Sequence, residues 1–178
     1  MALGAFFTIG HSTRGVDEMV ALLAEAGANA IADVRTVPRS RTNPQFNLDA
    51  FPQALAARAI AYRHFAALGG LRSRARDAPP SPNPFWKNAS FRNYADYADT
   101  EPFRDGLDEL IGFGESRVCA VMCAEAVWWR CHRRIIADYL IAAGAAVFHI
   151  MGPGKITPAA LTPAAREAGG GRLIYPLA

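Results

Sequence analysis

Lysine is almost missing from this chain. Lys87 and Lys155 are the only two, so nearly all of the positive charge is arginine. The 19 basic residues face 16 acidic ones, for a net charge of +3. That balance permits an acidic ligand without demanding one and weighs against a protein that coats nucleic acid. No apolar run approaches the roughly 18–20 residues a membrane span needs. The opening stretch, MALGAFFTIGHS, has no basic leader and reads as a first strand, which leads us to expect a cytoplasmic protein with no membrane partner. Cysteine is scarce and odd in number (Cys119, Cys123, Cys131), which argues against a disulfide framework. There is no repeat and no block of like charge. No G-x-G-x-x-G stretch marks a dinucleotide site. Neither C-x2-C nor H-x3-H spacing is present, so the cofactor is unknown, with a metal ion possible but not favoured.

What remains is a 178-residue chain, 51% hydrophobic, long enough for one domain with one core. Short apolar runs alternate with amphipathic stretches, the pattern of βαβ units. The expectation is an α/β fold: a single domain with a mainly parallel sheet of about five strands and helices on both faces. Strands are expected at Ala5–Ile9, Ala30–Val34, Ile60–Phe65, Val118–Met122 and Ala146–Ile150. Helices are expected near Val16–Ala26, from Asn47 to Arg58, near Phe91–Ala98, near Glu101–Phe113 and from Arg130 to Ala143. Residues 66–90 form a connection too long to be a plain turn. The Gly-, Pro- and Ala-rich tail 151–178 suggests a short helix near Pro158–Ala168 and an edge strand at Arg172–Tyr175.

Ligands of open α/β sheets bind beyond the carboxyl ends of the strands. There the first strand leaves His11 and Ser12. The second leaves Asp33 and Arg35, with Arg39, Ser40 and Arg41 soon after. The third leaves His64 and then Leu68-Gly69-Gly70. The fourth leaves Cys123 and Glu125, and the fifth His149. Polar residues gather at strand ends simply because strands end at the surface. The count of strands supplying reactive groups at one rim is what points to a site.

The densest constellation runs from Met122 to Arg134, where a strand passes into a helix. A helix beginning near Arg130 aims its free N–H groups and dipole at the loop, which favours anions and a lowered thiol pKa. Cys131 is then a candidate thiolate with Cys123 facing it. His132 is a proton carrier near neutrality, Glu125 a general base and Arg133 an anion clamp. The plainer alternative has Cys123 as a small buried hydrophobe, the two tryptophans as packing, and Glu125 and Arg133 as an ion pair. Cys119 reads as core. The Cys123–Arg130 stretch also resembles the strand-to-helix loops of cysteine phosphatases and rhodaneses. It has six intervening residues where they have five, and it has no glycine. The segment Phe85–Tyr97, rich in aromatics, amides and cations, reads equally as a lid for a flat ring or as a helix with buried anchors.

Together these motifs resemble the family called domain of unknown function 488. The resemblance rests on Thr8-Ile9-Gly10-His11-Ser12, Asp33-Val34-Arg35 with Pro38-Arg39-Ser40-Arg41, Tyr62 with Leu68-Gly69-Gly70, Cys123-x-Glu125 with Cys131-His132-Arg133, and His149-Ile150. It runs from about residue 7 to 150 and implies an α/β fold with a shared site, but no reaction. The leading expectation is an enzyme, a hydrolase or transferase, acting on a small anionic or nucleotide-like substrate. Cys123, Glu125, Cys131, His132 and His11 would be its catalytic groups. Ser12, Asp33, Arg35, Arg39, Arg41, Arg133 and His149 would bind the anion. The alternatives are a nucleic-acid-binding or repair-associated module, suggested by Leu71–Arg76, and a thiol redox or metal sensor.

Overall fold

In the computed structural model, which describes residues 3–178, one six-stranded sheet organises the chain. Five strands are parallel: β1 (Ala5–Gly10), β2 (Ala30–Asp33), β3 (Ala61–His64), β4 (Cys119–Cys123) and β5 (Ala146–Gly152). Their spatial order is β3-β2-β4-β1-β5, and β6 (Lys155–Pro158) adds an antiparallel edge beside β5. The central strands β2 and β4 are buried at every residue, as a parallel sheet covered on both faces requires.

Helices cover both faces. On one side α1 (Val16–Ala26) and α2 (Phe51–Ala56) pack Met19, Leu22, Leu23, Phe51 and Leu55 onto Phe7, Ile9, Ile31, Ala120 and Met122. On the other, α3 (Ala89–Tyr97), α4 (Glu101–Gly114) and α5 (Arg133–Ala142) pack Tyr94, Phe103, Leu110, Ile135 and Ile136 onto Phe6, Ala32, Val34 and Val121. Alternation along each strand divides the two sets. α1 stops at Gly27, whose left-handed backbone (φ 72°) returns its N–H to the carbonyls of Leu23 and Ala24.

This order places a switch point between β1 and β4. The chain leaves β1 through α1 on one face toward β2, and leaves β4 through α5 on the other face toward β5. Adjacent strands whose connections part to opposite faces leave a crevice at their carboxyl ends. Gly10 and Cys123 are register partners at that crevice.

Five expectations need correction. The second helix spans Phe51–Ala56 and does not start at Asn47, whose side-chain oxygen accepts the N–H of Ser40 instead of capping the helix. The last main helix begins at Arg133, not Arg130, because residues 128–130 form a separate 3₁₀ turn. β5 continues to Gly152, because β6 folds back on it and supplies partners past Ile150, so His149 is mid-strand and opposite Thr8. The tail holds no helix near Pro158–Ala168. Pro158 ends β6, Pro163 would deny a helix a donor, and Thr162 N–H is taken by Asp138 Oδ1 at 2.8 Å. The expected edge strand is β8 (Leu173–Ile174). It pairs only with β7 (Arg166–Glu167), across a turn of Gly169, Gly170 and Gly171, all at positive φ.

The long connection 66–90 is tied down chiefly by α3. Tyr94 and Tyr97 donate their hydroxyls to the carbonyls of Leu68 and Ala67. Asn83 donates to Asp96 Oδ1 at 2.7 Å and accepts from the N–H of Tyr175 at 2.9 Å. The tail therefore helps to hold this loop.

Candidate functional site

The crevice opens into a cavity of about 520 Å³ lined by the ends of β1, β2 and β4, the loops after them, and the start of α3. Its floor is knit by backbone. His11 N–H donates to the carbonyl of Cys123 (2.9 Å) and Ser12 N–H to that of Ala124 (3.0 Å). Ser12 accepts a positive φ of 47° to make this turn. Gly10 has no alternative here, since a Cβ would stand 1.7 Å from the carbonyl oxygen of Glu125.

Cys131 sits just before α5, and its sulfur accepts the N–H of Arg133 at 3.4 Å. It thus takes the place of a capping side chain at the positive end of the helix dipole. Burial pushes its thiol up, but the neighbouring Cys123 thiol, the Arg133 charge and that N–H outweigh burial and bring it down to about 7. Burial, together with the Cys131 charge, drives Cys123 the opposite way, so Cys123 stays a thiol. Its S–H approaches the carbonyl of Glu125 at 3.7 Å. Cys119 lies on the same face of β4 but at its far end, fully buried, with its thiol pushed up to about 12 by burial.

His132 has one ring nitrogen committed. Nε2 lies 2.8 Å from the carbonyl of Val34, which can only accept, so the proton is on Nε2 and Nδ1 carries the lone pair. That Nδ1 is 3.4 Å from Cys131 Sγ. Burial lowers the pKa of His132, which favours the neutral ring with its Nδ1 lone pair facing the Cys131 sulfur. Gly70 lets the 66–90 loop lie against this ring, since a Cβ there would come 2.5 Å from Nδ1. His11 is arranged by the same logic. Nδ1–H donates to the carbonyl of Ser12 (2.9 Å), and Nε2 faces Arg35 Nη1 at 3.4 Å. Burial is the chief cause of its lowered pKa.

Arg35 reaches the cavity from β2 while Asp33 grips it from beneath. Asp33 accepts from Arg35 Nε (2.9 Å) and Nη2 (2.6 Å), and Tyr62 donates to the same carboxylate at 2.5 Å. The Nε–Nη2 edge of the guanidinium is thereby fixed, Nη2 also donates to the carbonyl of Phe46 at 2.7 Å, and Nη1 is left toward the ligand space. His64 supports the same segment through the carbonyl of Arg35 at 2.7 Å.

Arg133 is fully buried, and among the described residues no carboxylate lies within ion-pair distance of it. Its Nη2 donates to the carbonyl of Glu125 (2.7 Å), its Nη1 to Thr8 Oγ1 (3.2 Å), and Nε has no partner. Thr8 Oγ1 is also hydrogen-bonded to His149 Nδ1 at 2.6 Å, and the Trp128 indole stacks on the His149 ring at 4.4 Å. Burial, then the Arg133 charge, lowers His149 to about 4. A buried guanidinium without a carboxylate is costly, and the anionic form of Cys131 is what its charge favours.

The structure therefore brings His11, Arg35, Arg39, Cys123, Glu125, Cys131 and His132 to one cavity wall. Asp33, Arg133 and His149 are buried beneath it, and neither Ser12 nor Arg41 lines it. Gly70 stands at the rim as the sequence placed it, whereas Thr8, the carbonyl of Val34, Arg130 and Phe91 had been given no individual role in the site. The aromatic segment divides between its two readings. Trp86 and Tyr94 are buried anchors, whereas Phe91, stacked on Trp86 at 5.1 Å, forms part of the wall. The likeness to a phosphatase-type loop does not extend to its backbone. The 3₁₀ turn engages the N–H groups of Arg130 and Cys131 with the carbonyls of Val127 and Trp128. No helix among the described residues is long and apolar enough to cross a membrane, and no three His, Cys, Asp or Glu side chains among them are grouped to hold a metal ion.

Compared with known proteins, residues 15–140 match the model of a family described as "Domain of unknown function DUF488". No curated protein and no solved structure matches.

Proposed function

The chain belongs to the DUF488 family, and on that footing we propose that it is an enzyme, a hydrolase or transferase, that uses the Cys131 thiolate on a small anionic substrate. The observation that carries this reading is the setting of Cys131 Sγ. It accepts an N–H at the start of α5, lies 3.4 Å from a ring nitrogen that holds a lone pair, and lines the same cavity as Arg35. A thiolate at a helix start beside a neutral histidine is an activated nucleophile.

In this reading the roles follow position. Arg35 Nη1, with Arg39 and Arg130 at the rim, holds the anionic group. Phe91, Val37 and Leu71 offer an apolar face suited to the flat ring of a nucleotide-like substrate. Cys131 Sγ attacks the electrophilic atom, a sulfur–substrate bond forms, and the leaving group departs. An acceptor then attacks that atom, gives its proton to His11 Nε2 or to the exposed Glu125, and releases the thiolate. Water as acceptor makes the enzyme a hydrolase, and another nucleophile makes it a transferase. Arg133 acts from beneath as counter-charge to the thiolate.

Alkylation with iodoacetamide across pH tests the reading, with modified cysteines identified by mass spectrometry. Cys131 should react with a midpoint near 7, and Cys119 and Cys123 should lag far behind. A Cys131 that titrates with an ordinary thiol midpoint of about 8.5 would remove the proposed nucleophile.

A further inference from the structure

The two cysteines of the cavity wall differ in a way that the transfer chemistry does not use. Both sulfurs line the same cavity: Cys131 accepts the Arg133 N–H and has its thiol brought down, whereas burial at the end of β4 keeps the proton on Cys123, whose S–H approaches the Glu125 carbonyl. A reactive sulfur with a protonated thiol beside it, in a cavity open to small molecules, is the arrangement in which an oxidised sulfur is captured by its neighbour.

We propose that Cys131 and Cys123 form a reversible intramolecular disulfide when the chain meets a hydroperoxide, which takes the Cys131 sulfur out of use as a nucleophile. The inference shares the Cys131 thiolate with the function proposed above and needs nothing of its substrate. In the first step Cys131 Sγ attacks the outer oxygen of the hydroperoxide. A sulfur–oxygen bond forms, the oxygen–oxygen bond breaks, and the departing alkoxide or hydroxide takes a proton from solvent. Cys131 is then a sulfenic acid. In the second step Cys123 Sγ attacks Cys131 Sγ. A sulfur–sulfur bond forms, the sulfur–oxygen bond breaks, and the leaving hydroxide departs as water with the Cys123 proton. Two thiols have lost two electrons, and the peroxide has been reduced to water and an alcohol, or to two waters. A small dithiol restores the pair by exchange.

The local structure suits the step. Both sulfurs line one cavity, so the oxidant reaches Cys131 by the substrate's route. The loop 124–130 that joins them has exposed residues at Ala124, Glu125, Trp129 and Arg130, which leaves it room to adjust as the sulfurs approach to about 2.05 Å. Cys119, at the buried far end of β4, is out of reach and serves as an internal control. No third cysteine lines the cavity to compete with Cys123 for the sulfenic acid.

The test treats the reduced full chain with hydrogen peroxide, blocks remaining thiols, and reads the intact mass and the peptide map. The expected product has lost two hydrogens, carries a 123–131 bridge, retains one blockable thiol at Cys119, and reverts with dithiothreitol. Cys119→Ala should close the bond as the parent does. Cys123→Ser should stop at the sulfenic acid, trapped at Cys131 by dimedone, with no two-hydrogen loss. A chain whose Cys131 alkylates with a midpoint near 7 but forms neither bridge nor dimedone adduct would overturn this proposal and leave the transfer reading intact. A bridge through Cys119, or only bridges between chains, would overturn it as well.

Discussion

Gly10 and Glu125 occupy a single corner of the molecule: the Glu125 carbonyl fills the space where a side chain at residue 10 would begin. That oxygen also receives Arg133 Nη2 and lies near the Cys123 thiol, so the absent side chain of β1 sets the position of the whole 124–131 loop. Gly10→Ala should therefore cost about 3 kcal/mol or more, at the upper end of overpacking effects. It should also raise the alkylation midpoint of Cys131. Chemical denaturation and the iodoacetamide profile measure the two, and an alanine variant with parent-like stability would contradict the close approach.

Arg133 should govern the ionisation of Cys131. Arg133→Met keeps a long apolar stem but removes the charge, and the midpoint should climb from about 7 toward the ordinary thiol value. Arg133→Lys keeps charge without the planar fork that joins Thr8 and Glu125, so its midpoint should lie between the two. The measurement is the rate of alkylation at Cys131 against pH. Equal midpoints in all three chains would mean the buried charge does not act on the sulfur.

Asp33→Asn tests the anchoring of Arg35. The pair is buried, and a broken buried pair leaves an uncompensated guanidinium, so a loss of about 3–5 kcal/mol is expected. A double variant, Asp33→Asn with Arg35→Met, should recover part of that loss, because no buried charge is then stranded. Urea unfolding of the single and double variants decides it, and no recovery would mean that the cost lies elsewhere.

Much of this arrangement was legible in the sequence because strands announce themselves by apolar runs and their carboxyl ends follow directly. His11, Arg35, Cys123 and Glu125 could be placed at one rim for that reason. What could not be read depends on where helices begin and on contacts across the chain. Counting α5 from Arg130 aims Arg133 outward as a clamp, whereas the 3₁₀ turn delays the helix and turns Arg133 into the core. His149 falls mid-strand only because β6 folds back beyond it. Asp33 reads as a ligand group until Arg35, two residues on, is seen to fold back upon it. Val34 acts through its carbonyl, and Gly70 through the side chain it does not have. A carbonyl leaves no mark in residue type, and a glycine at the rim does not say which ring it lets approach.

His149 gives the fold a pH dependence of known sign. Its folded pKa is about 4 against about 6.5 in an unfolded chain, so on acidification the unfolded chain takes up the proton first. The stability it confers is complete above pH 6.5, declines as pH falls, and is lost by about pH 4; it amounts to about 3 kcal/mol. Urea unfolding at pH 7.5 and 4.5 should show this decline, and His149→Asn should flatten it. A variant as acid-sensitive as the parent would assign the loss to another group.

The tie between Asn83 and Tyr175 spans 92 positions of the chain. It fastens the segment that leads to Phe91, yet neither residue lines the cavity. The shape of the pocket is thus set in part by side chains that no ligand would meet, and a change at either one could alter binding from a distance.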